Sequence, residues 1–398
     1  MAEYDADVIV VGSGSLGGFV ALEVAKAGKS VIILESGPEI AEWKITDNYH
    51  RSPRKFNWND PFGDIPYAPN TYTPGYIDAD LGDVGQIPGA LRSVGGTSRH
   101  WTGATWRLLP EDMKLKSTFG IGRDWPFSYD EFEKWFTEAE YAIGVNGDND
   151  ADLSGQGLGH TYPPRSKPYP LPPEAKPYLV QKLQVQYEKA GYRTEHGPSC
   201  RISQPYAGRP ACIGNNLCQP NCPIGAKHSG VHVIEQAVAA GAELRSNATV
   251  DKLTVDGKGR ITELSYLSPK GDRTTLKAKV IVLAAHAYET PKLLLMNELA
   301  NSSGMVGRNV MFHPVLNMDF YAEEPVWTGR GQFLHGSIMQ RRNQKNRAAV
   351  PSARLDYQNV YPVLKITEEV LKPRRSMSAR RWTTRSAIVP PAMSPCRC

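Results

Sequence analysis

The chain has 398 residues, 40% of them hydrophobic, enough to bury a large core in two intimately connected domains. Its formal charge of +5 comes from its end: residues 373–398 carry six arginines and no acid, and without them 40 Lys+Arg face 41 Asp+Glu, which argues against a polyanion or nucleic-acid partner. No stretch approaches the ~18 apolar residues of a membrane-spanning helix, and the start, Met1 to Asp7, lacks the charged-then-apolar build of a secretory signal, so export is expected to rely on a partner's signal.

Residues 7–35 read as strand, glycine turn, helix and strand: Asp7-Val-Ile-Val-Val11, then Gly12-Ser13-Gly14-Ser15-Leu-Gly17, an alanine-rich helix, and Ser30-Val-Ile-Ile-Leu-Glu35. Residues 40–125 are rich in Pro, Gly, Asn and Asp, the composition of long loops wrapping a cofactor. Helices are expected at 129–143, 175–190 after a proline-rich connector at 161–177, and 229–240. Short alternating segments to about 277 predict an antiparallel meander. The run Lys279-Val-Ile-Val-Leu-Ala284-Ala285 is apolar without alternation, as in a strand covered on both faces, and helical spacing resumes over 288–297. The end, Pro373–Cys398, shows neither period and is expected to be disordered; its abrupt change of composition also suggests a shifted reading frame.

Three glycines between a strand and a helix have separate tasks. The first permits a tight turn, the second admits a diphosphate to the backbone, and the third lets helix pack on strand, while the helix N-terminus offers N–H groups and positive dipole. Glu35, 23 residues after Gly12, is placed to accept hydrogen bonds from ribose hydroxyls and disfavours a 2′-phosphate. The pattern indicates dinucleotide binding and does not by itself separate FAD from NAD. Farther along, Cys212-Ile-Gly-Asn-Asn-Leu-Cys218-Gln-Pro-Asn-Cys222 places three of the six cysteines in a loop whose Gly, Asn and Pro let thiolates converge. An iron–sulfur cluster, a zinc site completed by His228, and disulfides or free thiols are the readings open to it.

The segment Arg92-Ser-Val-Gly95-Gly96-Thr97-Ser-Arg-His100-Trp101-Thr102-Gly103-Ala104 combines close backbone approach with small hydroxyl and aromatic groups suited to a flat ring system. Here the sequence resembles the glucose-methanol-choline (GMC) oxidoreductases, whose second flavin motif has this form. Further matches, in order, are Asp124-Trp-Pro-Phe-Ser-Tyr129, Asn247-Ala-Thr-Val250, Val282-Leu-Ala-Ala-His286-Ala-Tyr-Glu-Thr290-Pro291 and Gly304-Met-Val-Gly-Arg-Asn-Val-Met-Phe-His313-Pro314, so the resemblance covers residues 7 to about 340. Within the family it is nearest to the flavoprotein subunits of bacterial membrane-associated sugar, polyol and sugar-acid dehydrogenases.

The resemblance implies an α/β fold, a Rossmann-like FAD-binding domain joined to an α+β substrate domain that is incomplete here. It divides the chain into a first FAD-binding segment (1–45), flavin-covering loops with the second FAD motif (46–125), substrate-domain helices, connector and cysteine loop (126–228), a second FAD-binding segment (229–312), a partial substrate domain (313–372) and the basic tail (373–398). The expected cofactor contacts are Gly12, Ser13, Gly14, Ser15, Gly17, Glu35, Ser36, Arg92, Gly95, Gly96, Thr97, His100, Trp101, Thr102, Gly103, Ala104, Val250, Ala284, Ala285 and Thr290. Val250 is expected near the adenine and Ala284–Ala285 near the diphosphate. His286 stands where the family has glycine after the two alanines, an exchange that would narrow that approach without abolishing it. His100 matches a position tethered covalently to the flavin in pyranose oxidases.

The resemblance also implies a [3Fe–4S] cluster on Cys212, Cys218 and Cys222, a sugar or polyol substrate, a cytochrome c subunit or quinone as electron acceptor, and a small subunit bearing the export signal. That places the complex at the periplasmic face of the inner membrane, with membrane association only through partners. The family's catalytic base is a histidine beside a second histidine or asparagine in a C-terminal segment. No matching text follows Leu371, so the chain is expected to lack the base and to be a weakly active or inactive version. His313 before Pro314 is read as structural, and His335 as belonging to another motif. The competing classes are an NAD-linked oxidoreductase with a zinc loop and a non-catalytic remnant.

Overall fold

A computed structural model describes residues 3–51, residues 90–359 apart from positions 220, 312, 314, 317 and 333, and residues 395–397. Much of the expected flavin-covering segment, 52–89, lies outside the described residues, as do 360–394. The helices are α1 Ser15–Lys26, α2 Glu42–Arg51, α3 Leu115–Phe119, α4 Tyr129–Ile143, α5 Tyr178–Lys189, α6 Gly230–Ala239 and α7 His286–Met296. The strands are β1 Ala6–Val11, β2 Val31–Leu34, β3 Thr194–His196, β4 Glu243–Arg245, β5 Thr249–Val255, β6 Ile261–Leu267, β7 Arg273–Leu283, β8 Asp319–Tyr321, β9 Leu334–Ile338, β10 Leu355–Gln358 and β11 Pro395–Arg397. They fall into two compact units, one made of 1–101, 220–223 and 229–314, the other of 102–219, 224–228 and 315–398.

The first unit is built on a six-stranded sheet in the order β4-β2-β1-β7-β6-β5. β4, β2, β1 and β7 run parallel, with Val10 between Ile33 and Val282. β7, β6 and β5 are antiparallel, which is the expected meander. Successive residues of β1 point to opposite faces. Ile9 and Val11 pack with Ile32, Leu34, Leu253, Leu264 and Leu276. Val10 packs with Ile33, Ala21 and Leu22 of α1, and Val233 and Ile234 of α6. One expectation needs correcting here. β7 begins six residues before the apolar run and is not covered on both faces, since Val280 is 53% exposed. Its early residues alternate because that half pairs with β6, and only the later half enters the parallel layer beside β1.

The second unit carries an antiparallel sheet in the order β3-β9-β10-β11-β8. α5 lays Leu179, Val180 and Leu183 against Ile338 and Tyr357. α4 starts at a reciprocal cap, where Ser128 Oγ accepts from the Glu131 N–H and the Glu131 carboxylate accepts from Ser128 N–H at 2.7 Å. The same helix contributes Glu133, Thr137 and Glu140 to a buried cluster around Arg107, whose guanidinium meets Glu140 at 2.8 Å and Glu133 at 2.7 Å, with Arg165 also on Glu140. The tail departs from expectation at 395–397, which pair as β11 between β8 and β10. Pairing of this kind needs only backbone N–H and C=O groups, so side-chain periodicity does not announce it.

Candidate cofactor site

The first unit holds a cavity of about 640 Å³ above the carboxyl ends of β1, β2 and β7. Ligand sites run from about 300 to 1,000 Å³, and in open α/β sheets they lie at this end of the strands. Gly12, at φ +106°, makes the turn out of β1, and a Cβ there would lie 2.4 Å from the Ala284 carbonyl oxygen. Gly14 is the contrary case: a Cβ on it would meet nothing within 4 Å, because it faces the cavity. No side chain caps the N-terminus of α1 at Gly14. The turn therefore presents backbone and helix dipole to open space, the arrangement that receives a diphosphate.

Glu35 directly follows β2, is 6% exposed, and organises the turn. Its Oε2 accepts from Ser13 N–H at 3.1 Å and Ser13 Oγ–H at 2.6 Å, and its Oε1 accepts from Gly37 N–H at 2.9 Å. Burial pushes its carboxyl above the usual range, and the Ser13 and Gly37 donors pull it back. Ser13 Oγ also accepts from Gly95 N–H at 3.2 Å. Gly14 and Gly95 pair as an isolated parallel bridge. The double glycine serves both contacts: a Cβ on Gly96 would lie 3.4 Å from Gly14 Cα, and one on Gly95, at φ +92°, would strike the Val231 side chain at 2.6 Å. The loop is further held by Arg99, whose Nη2 donates to the Ile40 carbonyl and the Glu42 carboxylate at 2.7 Å.

Of the expected contacts, Gly12, Ser13, Gly14, Ser15, Glu35, Ser36, Arg92, Gly96, Thr97, Val250, Ala284, Ala285 and Thr290 line the cavity. Gly17, Gly95, His100 and Trp101 do not. Gly17 faces the turn, where a Cβ would lie 2.1 Å from Gly12 O, and His100 is buried, with its N–H on Thr97 O at 3.2 Å. Thr102, Gly103 and Ala104 belong to the second unit, where Gly103 O accepts from Cys200 N–H at 2.8 Å and Ala104 pairs with Ser199. Sequence reading missed Glu289, which lines the cavity and pairs with Arg92 at 3.0 Å.

Cys212 and Cys218 fall in the second unit and Cys222 in the first. Neither these three nor Cys200 takes part in a disulfide among the described residues. Among the described residues no group of three His, Cys, Asp or Glu side chains is gathered as metal ligands. In the second unit Lys227 Nζ donates to Cys218 O at 2.7 Å, and a buried pair joins Arg201 to Glu174 at 3.3 Å. His335 is 1% exposed, its Nε2 on Glu174 O at 3.0 Å and its ring edge-on to His196 at 4.7 Å. Burial pulls its pKa down to about 4, so it is a neutral packed imidazole at pH 7. His313 is exposed.

A strand–glycine-turn–helix with an acid closing the second strand, opening on one cavity, defines a dinucleotide-binding protein. Comparison with known proteins narrows this. A family signature described as GMC oxidoreductase matches residues 181–315. Over 369 residues the chain is 36% identical to the fructose dehydrogenase large subunit of Gluconobacter japonicus, covering 89% of this chain and 67% of that one. It is 30% identical to 2-methyl-1,2-propanediol dehydrogenase of Mycolicibacterium austroafricanum (77% and 55% covered) and 27% identical to the gluconate 2-dehydrogenase flavoprotein of Pantoea cypripedii (78% and 56%). A solved formate oxidase shares the fold at TM-score 0.54 and 15% identity, covering 89% of this chain and 68% of that one. The chain belongs to the GMC oxidoreductases, an FAD-binding family. It spans little more than half the length of several of these relatives.

Proposed function

We propose that this chain is the flavin-carrying part of a dehydrogenase that oxidises a CH–OH group of a sugar, polyol or sugar acid. The observation that supports it most is the cavity itself. Gly12 makes the turn and Gly14 leaves it open to a diphosphate, Glu35 holds it in place, and a chain 36% identical to this one is a fructose dehydrogenase subunit. FAD bound there would supply the hydride acceptor. The protein's own part is to hold the diphosphate at the Gly12–Ser15 turn, the ribose beside Glu35 and Ser36, and the adenine by Val250, with His100 the candidate for a covalent tether. The NAD-linked alternative loses its support with membership of an FAD-binding family.

The reading extends to a [3Fe–4S] cluster on Cys212, Cys218 and Cys222, an electron acceptor that is a cytochrome c subunit or quinone, and a small export subunit carrying the complex to the periplasmic face of the inner membrane. The spacing of three cysteines outside any disulfide, in a loop rich in Gly, Asn and Pro, supports the cluster. Absorbance, flavin extraction and iron analysis of protein purified with its neighbouring subunits test both parts. Flavin absorbance bands are expected; a preparation that binds no FAD refutes the reading, and flavin without iron refutes the cluster alone. Retention of flavin mass on the peptide containing His100 after denaturation tests the tether.

A further inference from the structure

We propose that His286 is a diphosphate-gripping residue, its imidazole donating from Nε2 to the phosphate oxygens of the bound dinucleotide. The inference rests on the flavin reading above and adds a contact at a position where the family pattern has glycine. Among the described residues eight non-glycine residues have positive φ, and of these only His286, at φ +79°, lines the cavity. A left-handed backbone is unfavourable for any residue with a Cβ, and a residue held there beside a ligand site points to a task for its side chain.

The surroundings define that task. The Ala284 carbonyl lies against Gly12, so His286, two residues on, begins α7 at the level of the diphosphate turn. The Ala285 N–H is already taken by Thr290 Oγ1 at 3.1 Å, which removes one backbone donor from the helix end. Tyr288 N–H donates to His286 Nδ1 at 3.4 Å, so the ring proton sits on Nε2 and that nitrogen is the one able to donate. The charged groups lining the same cavity are held by other residues. Glu289 on α7 is held by Arg92 at 3.0 Å and Lys292 at 3.7 Å. Asp251 on β5 is held by Arg273 at 2.6 Å, and Glu35 at the end of β2 by Ser13 and Gly37.

Burial lowers the imidazole's affinity for a proton in the empty site, whereas a dianionic diphosphate beside it raises that affinity. Binding would then take up a proton, and affinity would fall as pH rises through the bound imidazole's titration. The test is flavin-fluorescence titration of the apoprotein with FAD between pH 5.5 and 8, together with thermal melting of the apoprotein. His286→Gly accepts the left-handed backbone, so its apoprotein is expected to melt higher than wild type while binding FAD about ten-fold more weakly, the weight of one charge-assisted hydrogen bond. His286→Asn also tolerates the backbone and lacks the titrating ring, so the pH dependence is expected to flatten. Equal or tighter binding by His286→Gly, or an unchanged pH slope in His286→Asn, overturns the proposal. Failure of wild type to bind FAD at all overturns the flavin reading instead.

Discussion

The three glycines of the turn have separable costs, and substituting alanine at two of them tests the site sharply. Gly14 sits at φ −63°, ψ 173°, a conformation any residue adopts, and its Cβ would enter open cavity. Gly14→Ala is therefore expected to leave the apoprotein as stable as wild type or firmer by about 0.4–1 kcal/mol, from the smaller entropy of the unfolded chain. The new methyl occupies the diphosphate's approach, and overpacking of that kind costs about 1–3 kcal/mol, or roughly 5- to 150-fold in FAD affinity. Gly17→Ala reverses the pattern. Its Cβ would lie 2.1 Å from Gly12 O and 3.2 Å from Val10 Cγ1, so α1 must lift from β1 at a cost of about 3 kcal/mol before any ligand is present. Melting with and without FAD separates the two, because a ligand at 100 times its Kd adds about 2.7 kcal/mol to the folded state. A Gly14→Ala apoprotein that melts as low as Gly17→Ala, or that keeps wild-type FAD stabilisation, would refute the placement of the diphosphate.

Arg107→Met leaves the buried Glu140 and the half-buried Glu133 carboxylates without their main cation, although Arg165 still reaches Glu140. A loss of about 3–5 kcal/mol is expected in urea unfolding, and a loss below about 1 kcal/mol would show the cluster to be solvated. His335 is held neutral with a pKa of about 4 against 6.5 in an unfolded chain. Its contribution is complete above pH 6.5 and is lost as pH falls toward 4, up to about 3 kcal/mol, so acid melts should show a slope that His335→Leu reduces. The Cys200 thiol is wholly buried and pushed up to about 11 by desolvation. Iodoacetamide at pH 7.5 is expected to spare it in the native chain and modify it in urea, as peptide mapping would show.

The nucleotide site was legible because its chemistry is local in sequence. Gly12, Gly14 and Gly17 fall within one turn, Glu35 follows the next strand, and the apolar runs 8–11 and 31–34 mark both flanks. The helix at 129–143 was equally plain, for Ser128 and Glu131 cap it within four residues. What stayed hidden joins residues far apart. The bond between Gly95 N–H and Ser13 spans 82 positions, and the Arg92–Glu289 pair crosses most of the first unit's length in sequence. Nor could composition reveal that β7 changes partners partway, or that Pro395–Arg397 adds a strand.

Sequence by itself determined the class of cofactor turn, the strands and helix that flank it and the family, because backbone conformation at glycine and the spacing of apolar residues are properties of short segments. Tertiary structure alone decided which of those glycines faces a ligand and which faces protein. It also decided that Glu35 spends its oxygens on Ser13 and Gly37, and that His286 stands in a left-handed turn on the cavity wall. Those facts depend on how distant backbones exclude or expose one another, and steric exclusion between segments has no signature in either segment alone.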